Sequence, residues 1–275
     1  MSQIGSLQFD QSRQSSLSQK SKKGVRNFQP FQIVALTYPY KTWFTQPTQA
    51  LFNEILSLKL KGYGAEYPFG VLPIDTTDFI ASHYMVGFQS KKNFRPLMAF
   101  KTTPLRRCEQ HQLSFPGLNL VQQAQAPEHI AQVQKIMERV LWQKKELAYL
   151  ASWTVDPIVR KDKEMAQKLR DIFKGLFVHC HRELNVEEVL IGGTLRFKTE
   201  RIFSELGCQP LTDQFQMELS PIQVKHLFAE KVMVMHLQKF SENAEHSARN
   251  CADLWEKRIS YSPENISEFQ KRLIG

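Results

Sequence analysis

The chain has 275 residues, 42% hydrophobic and 23% charged, enough to bury one sizeable core and to make a single domain the default. No stretch approaches the roughly 20 consecutive apolar residues of a membrane-spanning helix, which argues against a transmembrane segment. Cys108, Cys180, Cys208 and Cys251 stand far apart, with no CxxC pair and nothing like a secretory signal before them, so a disulfide framework is excluded and the thiols read as reduced, in a cytoplasm. With 36 Lys+Arg against 27 Asp+Glu the formal charge is +9, which suits an acidic protein, a phosphorylated cofactor or nucleic acid, although a soluble basic surface is the simpler account.

Residues 1–27 are rich in Ser, Gln and Lys and hold few large apolar groups to offset the entropy of ordering them, so they are expected to form a disordered basic tail. The first strand is expected at 31–36. A helix follows, capped by Thr45, with Pro47 in its first turn and Leu51, Phe52, Ile55 and Leu58 at helical spacing, and Gly62 and Gly64 are expected to stop it. Asp75-Thr76-Thr77-Asp78 then leads into a strand at 80–88, where Tyr84, Val86 and Phe88 alternate with His83, Met85 and Gly87. A polar turn at 91–93 and a returning arm at 95–103, ended by Pro104, complete a hairpin.

Residues 105–126 read as a long irregular stretch, of the kind that often shapes a binding site. Pro127 opens a helix carried by Ile130, Val133, Met137 and Val140 or Leu141. A central strand at 149–155 is followed by Asp156-Pro157 and an amphipathic helix with Met165, Leu169, Ile172, Phe173, Leu176 and Cys180 on its apolar face, then by a buried strand at 186–191. After Gly192-Gly193, residues 196–206 read as a helix with Gly207 at its left-handed cap, and 214–219 as a last strand. Two charged helices are expected at 222–237 and 242–259. The expected division is a tail at 1–27, an α/β domain at 28–220 and a helical extension at 221–275.

The strand, crossover helix and parallel strand between 149 and 191 must be right-handed in nearly all cases, which fixes most of a topology. That element order is the one GNAT acyltransferases use. Four ordered segments sharpen the match: Asp75-Thr76-Thr77-Asp78; Ala99-Phe100-Lys101-Thr102-Thr103-Pro104; Leu113-Ser114-Phe115-Pro116-Gly117-Leu118; and Ala151-Ser152-Trp153-Thr154-Val155-Asp156-Pro157. Over roughly 31–219 the chain resembles the acyl-homoserine lactone (autoinducer) synthases and the long-chain N-acyl amino acid synthases. The first segment is similar to their D-x-x-D, the second to a strand ending in Arg then Pro, with Lys101 at the Arg position, the third to their F-P segment, and the fourth to their S-R-F-x-V strand. The resemblance implies a GNAT-like three-layer α/β/α fold with a central mixed, mostly antiparallel sheet and added C-terminal helices. Where those synthases carry Glu and Arg around the central strand, this chain has Leu150 and Trp153, and Ile158-Val159-Arg160-Lys161-Asp162-Lys163 replaces the Gly-rich pyrophosphate loop.

In such a fold the acyl-pantetheine arm is expected between the parallel strands, where backbone amides hold the thioester and its oxyanion and a base takes the proton of the attacking ammonium. Asp75 and Asp78, three apart, are candidates to bind that ammonium or accept its proton, and equally a pair of turn and cap residues. His83 is a candidate base or a hydrogen-bonded structural histidine. Lys101 is a candidate partner for an acidic group of the acceptor or for Asp75 or Asp78, and otherwise an exposed lysine. Ser152 is a candidate donor to the thioester, and Phe100, Phe115, Trp153, Thr154 and Val155 are candidates to line the acyl pocket, or are core. Arg160, Lys161 and Lys163, with Gly192 and Gly193, are the candidate donor-binding residues, and their charge favours a carrier protein while leaving coenzyme A open. His179-Cys180-His181 cannot converge on one metal ion, because adjacent helical positions point apart, and Cys180 reads as helix core.

The function expected is an N-acyltransferase that moves a long-chain acyl group from an acyl-carrier-protein or coenzyme A thioester to the amine of a small acceptor such as an amino acid. The thioester is a co-substrate, and no permanently bound cofactor or metal is expected. The alternative is a degenerate GNAT-like domain that binds an acyl ligand or partner protein without catalysis. Nucleic-acid binding rests on charge alone, with no zinc finger, RNP-like motif or recognition helix beside it, and is not expected.

Overall fold

The computed structural model describes residues 30–67, 71, 74–89 and 94–265, so the expected tail and the turn at 91–93 lie outside the described residues. In chain order the elements are β1 (Phe31–Thr37), α1 (Pro39–Thr42), α2 (Gln46–Glu66), a 3-10 turn (Thr76–Phe79), β2 (Ser82–Gln89), β3 (Phe94–Pro104), α3 (Leu105–Gln110), α4 (Pro116–Gln123), α5 (Pro127–Trp142) and β4 (Leu147–Val155). There follow α6 (Pro157–Arg160), α7 (Lys163–Glu183), β5 (Glu188–Thr194), α8 (Thr199–Leu206), β6 (Gln209–Pro210), β7 (Ile222–Val224), β8 (Glu230–Leu237), α9 (Glu242–Glu256) and β9 (Ile259–Tyr261).

One mixed sheet runs in the order β6-β8-β5-β4-β3-β2-β1-β9, with β7 also on β8. The β4/β5 and β1/β9 pairs are parallel and the other pairs antiparallel. Helices α7, α8 and α9 cover one face, burying Leu169, Phe173, Leu176, Phe203, Ala248 and Trp255 against Tyr84, Phe100, Leu150 and Ile191. The other face is shared. Helix α2 covers β1–β3 through Phe52, Ile55 and Leu58, while α3, α4 and α5 cover β4, β5 and β8 through Cys108, Val121, Val133 and Val140. The expected three-layer α/β/α arrangement results. No helix among the described residues is long and apolar enough to cross a membrane.

Four local expectations are corrected. Residues 222–237 form β7 and β8, not a helix, so the segment after 221 is built into the sheet. In β8, Val232 and Val234 face the α3–α5 layer while Met235 and Leu237 face the α7–α9 layer. A strand covered on both faces reads as one apolar run and loses its period of two. Residues 214–219 are a turn closed by a single Thr212–Glu218 bridge rather than a strand. The stretch 105–126 contains α3 and α4, whose Pro116 starts the second helix. Finally, α2 runs through Gly62 and Gly64. At Gly62 the helix lies so close to β4 that a Cβ would stand 2.3 Å from Thr154 Cγ2, so glycine serves close packing there and not termination.

Candidate active site

Strand β4 pairs with β5 only from Leu147↔Glu188 to Leu150↔Ile191. Beyond that point β5 stays on β8 as far as Thr194↔Val232, while β4 departs. The departure has a local cause. On the β3 side the register moves from Ala99↔Thr154 to Lys101↔Ala151, a bulge that sets Ser152 and Trp153 opposite Phe100 alone and puts Ser152 at φ 57. The backbone edges of 151–155 and 192–194 therefore share no ladder, leaving a gap between the strands, beside which the Thr194 N–H is taken by Thr199 Oγ1 at 2.7 Å.

Several side chains meet at this gap. Ser152 is hydrogen-bonded to the Tyr63 phenol, which burial pushes up to about 12. Burial likewise raises the Tyr149 phenol. A Cβ at Gly192 would stand 3.4 Å from Tyr149 Oη and 2.8 Å from Val232 Cγ1, so Gly192 keeps the gap open, whereas a Cβ at Gly193 would strike the backbone of Glu200 at 2.7 Å, so Gly193 admits α8. The Trp153 ring stacks on Phe173 at 3.9 Å on the α7 face, and its buried indole N–H has no hydrogen-bond partner. Phe100 lies in the same layer, stacked on Tyr84, and Val155 packs against it. Phe115 stands on the other face, edge-on to Tyr149, and Thr154 is buried under Gly62 with its hydroxyl donating to the Ser152 carbonyl.

Asp75, Asp78, His83 and Lys101 come together on the α2 face. The 3-10 turn is closed by a reciprocal capping box: Asp75 Oδ1 accepts from Thr77 N at 2.8 Å, and Asp78 Oδ2 accepts from Asp75 N at 2.9 Å. The same carboxylates receive buried cations. Lys101 Nζ lies 3.0 Å from both Asp75 oxygens, 3.1 Å from Thr77 Oγ1 and 3.2 Å from Asp78 Oδ1. Lys59 of α2, absent from the sequence reading, donates to Asp78 Oδ1 as well. It stands four residues after Ile55 and three before Gly62, and a lysine on that otherwise apolar stripe was the available signal.

The two aspartates differ in access. The Asp75 side chain is 57% exposed and Asp78 fully buried. Burial pushes the Asp78 carboxyl up, but the ammoniums of Lys101 and Lys59 outweigh it and hold the group well below the usual carboxylate range. Burial lowers Lys59, opposed by Asp78. His83 is buried and held neutral, down to about 4, by burial, against the pull of Asp78. Its Nε2–H donates to the Asp78 carbonyl at 2.7 Å, and its buried Nδ1 has no hydrogen-bond partner. Beside Thr76 opens a cleft of about 600 Å³ lined mainly by Tyr40, Trp43, Phe44, Phe79, Ile80 and Leu113.

The expected donor-binding cations are divided. Arg160 is taken by Glu66, at 2.6 Å, and reaches the Gly62 carbonyl. Lys161 and Lys163 are exposed and make no ion pair among the described residues. The amino end of α7 is closed by its own chain, because Asp162 Oδ1 accepts from Glu164 N and Met165 N, both at 3.1 Å. His179 and His181 bond separately, to the Ala248 carbonyl and to the Phe177 carbonyl and Thr102, and Cys180 is helix core.

No family model matches the chain, and no curated protein matches it in sequence. Solved structures do. The coenzyme-A-dependent acyl-homoserine lactone synthase BjaI, with S-adenosylmethionine and isopentyl-CoA, is similar over 84% of this chain and 93% of its own, at a TM-score of 0.50 and 11% identity. The chain has the GNAT fold. FeeM, an N-acyl amino acid synthase from uncultured soil microbes, is similar over 76% of this chain and 92% of its own, with a TM-score of 0.45 and 9% identity. A Lactobacillus plantarum protein described as an N-acetyltransferase is similar over 76% and 99%, at 0.40 and 9%.

Proposed function

We propose that the protein is an N-acyltransferase that moves a long-chain acyl group from a carrier thioester to the amine of a small acceptor such as an amino acid, in the cytoplasm. The observation that carries this reading is the gap between bulged β4 and β5, flanked by the Asp75–Lys101 pair. In our reading the thioester lies in the gap, where the strand amides and the unpartnered Trp153 N–H receive the carbonyl oxygen as it gains charge. The acceptor enters by the aromatic cleft beside Thr76, and its ammonium meets Asp75, whose carboxylate reaches solvent. Loss of that proton to Asp75, directly or through water, frees the amine. The nitrogen then forms the C–N bond, the C–S bond breaks, and the leaving thiolate takes, directly or through water, the second proton that the nitrogen gives up. His83 and Asp78 are too deeply buried to meet the acceptor and support Asp75 from behind.

The closed amino end of α7 favours a carrier-protein donor over coenzyme A. Its amides, which would receive a pyrophosphate, already bond Asp162, while Lys161 and Lys163 remain for an acidic protein face. The neighbour named as coenzyme-A-dependent keeps coenzyme A in the test beside a carrier protein. Full-length protein is incubated with palmitoyl-carrier protein or palmitoyl-CoA and an equimolar mixture of the twenty amino acids, and N-palmitoyl products are sought by mass spectrometry. A new N-acyl product from the carrier-protein donor is expected. Absence of product with either donor refutes this reading. A second reading, acyl binding without turnover, is favoured by Leu150 and Trp153, both packed apolar against the α7 layer, and predicts a retained thioester with no product.

A further inference from the structure

We infer that Lys59 is a positioning residue of the acceptor site, the buried cation that neutralises Asp78 and so leaves Lys101 to hold the half-exposed carboxylate of Asp75. The inference rests on the acyltransferase reading for its purpose, though not for its geometry. Asp78 is buried with one oxygen, Oδ1, facing two ammoniums and the other accepting from Asp75 N. Lys101 is the shared member, 3.2 Å from Asp78 and 3.0 Å from each oxygen of Asp75. Asp75 makes no other ion pair among the described residues.

A fully buried carboxylate attracts a nearby ammonium far more strongly than one that water already solvates. Without Lys59, then, the buried Asp78 would draw Lys101 to itself and leave half-exposed Asp75 held by its Thr77 contacts alone, its other oxygen free to turn to solvent. Lys59 prevents this by supplying Asp78 with a cation of its own. It does so from the apolar stripe of α2, beside Phe52 and Ile55, where a methionine would fill the same space with no ion to desolvate. Strand β4 supplies no such charge: Leu150 and Trp153 point into the α7 layer.

If the role of Lys59 is to neutralise Asp78, removing both charges should restore what removing Lys59 destroys. Three variants of the full chain test this: Lys59→Met, Asp78→Asn and the double. In transfer from palmitoyl-carrier protein to the amino-acid mixture, Lys59→Met is expected to raise the half-saturating acceptor concentration at least tenfold while leaving acceptor-independent hydrolysis of the thioester unchanged. The double variant is expected to recover most of that loss, a rescue that a merely structural lysine would not give. In urea unfolding at pH 7, the double is expected to unfold at a higher midpoint than Asp78→Asn, in which Lys59 is left buried without its carboxylate. The urea series reads the ion network even if Lys59→Met folds poorly or the wild type transfers nothing. An inert wild type therefore sinks the acyltransferase reading while the series still decides the network. Additive midpoint shifts, a wild-type acceptor dependence in Lys59→Met, or equal losses of hydrolysis and transfer would each overturn the inference.

Discussion

Mild acid should destabilise this protein through two histidines buried neutral. Burial holds both His83 and His181 at about 4, against an ordinary value of 6.5, with Asp78 and the Phe177 carbonyl only partly opposing it. The unfolded chain binds a proton at each ring near pH 6.5, whereas the folded chain resists until about pH 4. Their contribution is therefore fully present above pH 6.5 and is lost as pH falls from there towards 4. At about 1.4 kcal/mol per pH unit, each ring is worth roughly 3 kcal/mol over that window. Together they rival the ~5–15 kcal/mol that stabilises a typical domain. Urea unfolding followed by tryptophan fluorescence at pH 7, 6 and 5 measures the loss. His181→Leu should be less stable at pH 7, leaving Thr102 without its ring partner, yet show about half the pH slope. A midpoint unchanged from pH 7 to pH 5 would refute the argument, because it would mean that the folded state accepts the protons as readily as the unfolded one.

Three further outcomes follow from the geometry. Gly192→Ala places a methyl against Val232 and Tyr149, both side chains that can yield, so the chain should fold while acyl transfer falls at least tenfold; Gly193→Ala meets the Glu200 backbone and should instead lower the urea midpoint by about 1–3 kcal/mol of stability. Arg139→Ala removes a two-pronged partner from buried Glu188, leaving it to His236, and should cost about 3 kcal/mol in the same assay at pH 7. Although burial raises the Glu188 carboxyl, His236 and Arg139 hold it at about 2, so the wild type should lose this stabilisation only as pH falls from 4.5 towards 2. Glutamates at positions 161 and 163 in place of Lys161 and Lys163 should raise KM for palmitoyl-carrier protein at least tenfold and leave palmitoyl-CoA use unchanged, an effect that added salt reduces in the wild type. Equal effects on both donors would remove these lysines from carrier recognition.

The sequence reveals most where one periodicity meets one environment. Helix α7 buries Leu169, Phe173, Leu176 and Cys180 on a single stripe, so its residues announce the element they form. Strand β8 does not, because its Val-Met-Val-Met run is covered on both faces and fits a buried helix as well. Gly62 misleads for another reason: its role lies in a contact with Thr154, ninety-two residues away in the chain, and local rules that take glycine as a stop cannot see that. The bulge at Ser152 is equally non-local, since it exists only as a mismatch of count between β3 and β4. Of the site, Asp75, Asp78, His83 and Lys101 were legible as a set. Their partner Lys59 was not singled out, for it comes from a helix whose other buried residues are chiefly apolar.

For Asp75 and Asp78 the sequence left two roles open, capping a turn or meeting a substrate, and the structure shows how the first is carried out. Both carboxylates close the amino end of the 3-10 turn, and the turn is what fixes their separation. Capping uses one oxygen of each: Asp75 Oδ1 takes the Thr77 amide and Asp78 Oδ2 the Asp75 amide. The remaining oxygens converge on buried Lys101, that of Asp78 sharing it with Lys59 and that of Asp75 reaching it from a side chain that is itself half-exposed. A rigid turn therefore divides two identical side chains into a buried anchor and an exposed carboxylate. Because the anchor keeps its charge by pairing with two ammoniums, its protonation is remote from neutral pH, and the geometry of the pair does not change with small shifts in pH.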